Sequence, residues 1–188
     1  MSNSHEARLK ALGIELPRPS VPAANYVPAR RSGNLVYIAG QVPAAEGKDK
    51  FTGKLGDTVT IEDGQSAARL CAINILAQLR AALGSLDEVV ACVRLGGFVN
   101  ATPEFGDHPK VINGASDLMV EVFGDAGRHA RAAVGCYSLP RNVSVEVDAI
   151  FEVRGACQPP RQAAQPGHRY TCSPASWVVA RPRCCVTY

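Results

Sequence analysis

Arg131 stands near the start of an otherwise apolar run, His-Ala-Arg-Ala-Ala-Val-Gly-Cys-Tyr over 129–137. Taking a guanidinium out of water there is costly unless an anion or hydrogen-bond acceptors receive it. Its planar fork suits paired hydrogen bonds to a carboxylate. The plainer alternative is an edge-strand arginine that reaches solvent or a salt bridge. Glu146 lies in a segment where Val143, Val145, Val147, Ala149, Phe151 and Val153 alternate with Ser144, Glu146, Asp148 and Glu152. That period of two puts its carboxylate on the polar face of a strand. It is either a solvated surface group or a carboxylate that reaches one cleft with Arg131. Ile38-Ala39-Gly40-Gln41 supplies small residues that would let a ligand come close to the backbone. His129 shares a side with Arg131 only if the strand has already begun there, and a surface histidine is the simpler reading.

Other chemistries lack their residues. There is no G-x-S-x-G, no glycine-rich phosphate loop with Lys-Ser/Thr, and no H-E-x-x-H. None of the cysteines forms a C-x-x-C pair or a Cys/His array of zinc-ligand spacing. The sequence therefore calls for no metal and no cofactor, and any catalysis falls to arginine, carboxylate, tyrosine, backbone groups and water. Cys71, Cys92 and Cys136 lie on apolar segments and read as small hydrophobes. No structural disulfide is expected in a reducing compartment.

These side chains must be held by one ordinary domain, since 188 residues with 46% hydrophobic and 20% charged content describe a globular chain. Apolar stretches are too short to span a membrane, and the first residues do not resemble a secretory signal. A cytoplasmic protein is expected. The formal charge of +3 conceals an asymmetry. Residues 155–188 hold Arg161, Arg169, Arg181 and Arg183 and no acid, so 1–154 keep 16 of the 20 basic residues against 17 acidic ones, a net of −1. That balance argues against nucleic acid as a partner. The tail, rich in Pro, Gln, Ala and Arg, reads as disordered. The division is thus 1–21, an N-terminal helix and proline-rich lead-in; 22–154, the folded domain; and 155–188, the tail.

Within the domain, periodicity predicts a short helix over 4–13 and strands over 26–31 and 35–40 joined at Ser32-Gly33-Asn34. A polar loop over 42–58 precedes a long helix over 61–83, with Thr60 and Asp63 at capping spacing and Ala68, Cys71, Ile75, Leu79 and Ala82 as its stripe. A strand follows over 89–99, with a bulge or close approach at Gly96-Gly97. A second helix over 107–123 carries Val111, Ala115, Leu118 and Val122. Strands over 130–138 and 143–153 flank Leu139-Pro140-Arg141-Asn142. If these last two pair as a hairpin, Arg131 faces about Ile150 and Glu146 lies several residues farther along. The pattern is that of a two-layer α+β sandwich with both long helices on one face of the sheet. The other face must meet solvent or another subunit.

Several segments together resemble the RidA family, the YjgF-type reactive-intermediate deaminases. Asn25-Tyr26-Val27 and Gly33 to Pro43 resemble its N-terminal hairpin, and the stretch from Ala130-Arg131 through Leu139-Pro140 to Val145-Glu146-Val147 resembles its C-terminal signature. The resemblance spans about residues 22–153. It implies a chorismate-mutase-like fold with a mixed sheet, a homotrimer with three clefts between subunits, and hydrolysis of enamines or 2-imino acids to 2-keto acids and ammonia. It also implies roles: Arg131 grips the substrate carboxylate, Glu146 positions or activates water, and Tyr26, Ala39, Gly40 and Asn113 line the cleft. Ala39 departs from the family pattern by replacing a serine. Two other function classes stay open, a non-catalytic trimeric module that senses a small carboxylic acid and, from the family's associations, an RNA-cleaving enzyme.

Overall fold

The computed structural model of the chain describes residues 4–20 and 24–155. The expectation for the tail lies, except for Gly155, outside the described residues. Strands β1 (Ala29–Ser32) and β2 (Leu35–Gln41) form an antiparallel hairpin across Gly33-Asn34, with Gly33 at φ 62. The segment expected to be a polar loop contains a two-stranded ribbon, β3 (Ala44–Ala45) with β4 (Lys48–Asp49). Helix α2 (Ile61–Leu83) starts where Thr60 Oγ1 accepts the Asp63 N–H at 3.1 Å and ends on Gly84 at φ 84. Strand β5 (Val89–Asn100), helix α3 (His108–Phe123), and strands β6 (Ala130–Cys136) and β7 (Val145–Val153) complete the domain, preceded by the short α1 (His5–Ala11).

The sheet order is β1-β2-β7-β5-β6. Here the hairpin expectation fails, because β6 and β7 do not pair: β5 lies between them, antiparallel to β7 and parallel to β6. Arg131 is opposite Leu95 rather than Ile150, and Glu146 is opposite Phe98. The reason is the unit β5-α3-β6, a strand–helix–strand crossover, which delivers its second strand parallel to the first. The eight residues between β6 and β7 then cross the end of β5 instead of closing a tight turn.

Helices α2 and α3 cover one face of the sheet. Ala68, Cys71, Ile75 and Leu79 from α2 and Val111, Ala115, Leu118 and Val122 from α3 are fully buried against Leu95, Val99, Val145, Val147 and Phe151. Ala82, expected in the α2 stripe, is exposed in the last turn. Gly96 and Gly97 mark close approach, not a bulge. A Cβ on Gly97 would stand 2.5 Å from Ile112 of α3, and one on Gly96 2.5 Å from the Asp148 carboxylate. The irregularities of β5 fall earlier, between Val89 and Arg94. Ser144, expected on the polar face, is buried just before β7, its N–H donating to the Phe51 carbonyl. Tyr26 precedes β1 instead of starting it.

The uncovered face carries Tyr37, Ile150, Phe98 and Val134, with Arg94 paired to Asp148 at 3.0 Å. Tyr37 and Val134 remain 43% and 47% exposed, so this face is apolar surface that the described residues leave open.

Candidate functional site

Arg131 and Glu146 occupy opposite faces of the sheet. Arg131 shares its register row with Leu95, a core residue facing the helices, and its side chain reaches α3. Its Nη1 donates to Asn113 Oδ1 at 2.9 Å and to Ser116 Oγ at 3.0 Å. Asn113 and Ser116 are three residues apart on α3, a spacing that places both on one flank of the helix. Among the described residues nothing accepts from Nε or Nη2, the side-on edge of the guanidinium that takes a carboxylate in paired fashion. Asn113 thus meets Arg131 on the helix side of the sheet, away from Tyr26, Ala39 and Gly40.

His129 also belongs to this cluster. Its Nε2 lies 3.0 Å from Ser116 Oγ and its Nδ1 2.6 Å from the Gly127 carbonyl oxygen. Burial pushes the imidazole below its ordinary value, the Gly127 carbonyl opposes that, and the Arg131 charge adds to the lowering. His129 is half-buried and bonded on both nitrogens, unlike a surface histidine. Ser116 was not singled out from the sequence. The available signals were Asn-x-x-Ser on the polar flank of α3 and His-x-Arg at strand spacing, which put the four side chains within reach once α3 and β6 are adjacent.

The second group gathers around Glu146, on the open face. Between Ile38 and Gln41 strand β2 runs three residues against two of β7, a bulge at Ala39–Gly40. Gln41 Nε2 holds it by donating to the Ala39 and Gly40 carbonyls at 3.0 and 3.1 Å. The half-buried Glu146 carboxylate presses on the bulge, so that a Cβ on Gly40 would collide with Oε1. The smallness of this segment therefore makes room for Glu146 itself. Burial raises the Glu146 carboxyl, Asp148 raises it further, and Arg141 partly offsets both. Arg141 sits at φ 55 in the turn before β7 and forms paired hydrogen bonds to Asp49 of β4 at 2.6 and 2.8 Å. That fork ties the ribbon to the turn beneath Glu146. Tyr26 is exposed on the approach to β1.

One buried amide braces this end of the sheet. Asn100 donates to the Gly53 and Val143 carbonyls and to Asn142 Oδ1, and accepts from Lys54 Nζ at 2.8 Å. The body cysteines offer no reactive thiolate: burial raises all three thiols, Cys92 to about 12. Among the described residues, no three His, Cys, Asp or Glu side chains gather where they could hold a metal ion, and no helix is long and apolar enough to cross a membrane.

Within one chain the two groups are separate: a guanidinium whose Nε–Nη2 edge is open on the helix side, and a carboxyl raised by burial on the other. The profile of the family described as "YjgF/chorismate mutase-like, putative endoribonuclease" matches residues 6–153. Protein TCP17 of Trypanosoma cruzi is 47% identical over 148 residues, covering 78% of this chain and 92% of that protein. A protein of unknown function from Agrobacterium tumefaciens is 52% identical with a TM-score of 0.75, covering 80% of this chain and 92% of that one. A protein from Shewanella oneidensis named as a putative endoribonuclease is 38% identical with a TM-score of 0.78, covering 80% and 100%. Because the match runs from the first helix to the last strand rather than through one motif, the chain belongs to the YjgF/RidA superfamily.

Proposed function

We propose that the protein hydrolyses reactive 2-imino acids, and the enamines in equilibrium with them, to 2-keto acids and ammonia. The observation that carries this reading is Arg131: Asn113 and Ser116 fix its Nη1, while its side-on edge is left for a carboxylate. An imine carbon is already electrophilic, so the protein has to orient the acid and deliver water without any covalent nucleophile. Glu146, its carboxyl raised by burial, suits that second task as the group that takes a proton from water. The overall step consumes one water: its oxygen bonds to the imine carbon, the C–N bond breaks, and the nitrogen leaves as ammonia.

Since Arg131 and Glu146 lie on opposite faces of one sheet, they serve one substrate only if a neighbouring subunit brings its Glu146, with Tyr26, Ala39 and Gly40, to this chain's Arg131. A homotrimer with three clefts between subunits meets that need, and the open face with Tyr37, Phe98, Val134 and Ile150 is the surface it would cover. The endoribonuclease name of a relative finds less support, because residues 1–154 have a net charge of −1 and offer little attraction to phosphates.

The test uses 2-imino acids generated freshly by an amino-acid oxidase. Keto-acid release is expected to accelerate with the wild type and to fall by about a hundredfold or more with Arg131→Ala, the scale of losing substrate positioning. No acceleration across a panel of imino acids would refute the deaminase. Pyruvate binding without turnover would then favour a module that only senses small carboxylic acids.

A further inference from the structure

The polar chain behind Arg131 has a fixed direction. A carbonyl oxygen only accepts, so His129 Nδ1 carries the hydrogen directed at Gly127. In the neutral ring Nε2 is then an acceptor, and Ser116 donates its hydroxyl hydrogen there. The Ser116 oxygen keeps its lone pairs for Arg131 Nη1. With His129 neutral, the sequence carbonyl, imidazole, hydroxyl, guanidinium is consistent at every link.

A carboxylate on the free edge of Arg131 changes that balance. It offsets the positive charge that disfavours an imidazolium, and a protonated His129 would donate from Nε2 to Ser116 Oγ. The Ser116 hydrogen, released from the ring, is then free to turn, while its oxygen still accepts from Nη1. Anion binding and protonation thus favour one another, and the coupling is reciprocal. We propose that Arg131, Ser116 and His129 form a proton-linked carboxylate site, in which binding a 2-keto or 2-imino acid is accompanied by uptake of one proton on His129 Nε2. This rests on Arg131 being the carboxylate clamp of the proposed deaminase. The proton comes from solvent onto the Nε2 lone pair, and no bond of the ligand breaks. It leaves an imidazolium, an acid, in the polar chain behind the clamp.

Within one chain and among the described residues, few other charges act on the ring. Arg131 is the one on β6, while Arg128 and Asp125 on the preceding turn pair with each other at 3.4 Å. On α3, Asp117 is exposed and Glu121 is paired with Arg69 at 2.7 Å. On β5, Arg94 is paired with Asp148 on the opposite face. Arg131 is therefore the charge whose neutralisation the imidazole would sense.

Pyruvate, a stable 2-keto acid, is the probe for the full-length protein. Calorimetry in buffers of different ionisation enthalpy, between about pH 5 and 8, is expected to show proton uptake on binding and affinity about fivefold or more tighter at the acid end. In the unmutated protein, the His129 ring signals in NMR should titrate at higher pH with pyruvate than without it. His129→Gln should still bind pyruvate but lose the proton uptake. Arg131-dependent binding with no proton uptake and an unmoved His129 titration overturns this inference and leaves the clamp standing. Linkage that persists in His129→Gln also overturns it, assigning the proton to another group such as Glu146. Failure of pyruvate to bind, or equal binding by Arg131→Ala, overturns the clamp and this inference together.

Discussion

Glu146 has a consequence that can be measured without a substrate. Its carboxyl is raised in the folded protein, chiefly by burial, so the native state holds that proton more tightly than the unfolded chain does. Stability from this group is therefore greatest below the unfolded value and declines as pH rises through the folded one, leaving a penalty at neutral pH. Glu146→Gln is expected to raise the thermal midpoint at pH 7, with the gain shrinking on acidification into the carboxylate range, while keto-acid release falls by about 10²- to 10⁴-fold. A variant less stable than wild type at pH 7 would show that the carboxylate is instead a stabilising contact. At this scale Arg131 and Glu146 were legible as isolated types: a cation in an apolar run and an acid in an alternating strand. Ser116 and His129 were not, because their meaning depends on α3 and β6 lying side by side, which neither segment encodes alone.

Elements were legible where a period and an end signal coincide. Helix α2 matches its expected span because its buried stripe is closed by Thr60 at one end and Gly84 at the other. Strand pairing was not, since adjacency in sequence favoured a β6–β7 hairpin over the crossover that places β5 between them. The crossover depends on α3 lying close to both β5 and α2. At its tightest point a Cβ on Gly114 would strike the Gln65 backbone carbonyl of α2. Alanine gains up to about 1 kcal/mol of helix propensity, but overpacking costs about 1–3 kcal/mol and a backbone neighbour cannot swing aside. Gly114→Ala is expected to lower the denaturant midpoint without changing the slope of the transition. An unchanged or higher midpoint would mean that the two helices have room to separate.

On the scale of the molecule, the two-layer architecture was readable because both long helices and the last strand each have one apolar face, and such faces must meet. What covers the second face of the sheet was not readable, since Tyr37, Phe98, Val134 and Ile150 are scattered singly over four strands and form a patch only through the observed register. The same register separates Arg131 from Glu146, and this bears on inheritance as well as on chemistry. If each working cleft takes its arginine from one subunit and its acid from the next, two inactive alleles can repair one another. Arg131→Ala and Glu146→Gln, each without activity alone, would recover about one working cleft in four when co-expressed in equal amounts, since that share of neighbouring pairs in a ring carries the intact residue on each side. Measured keto-acid release from the co-purified mixture that stays at the level of the separate variants would place both groups within a single subunit's site.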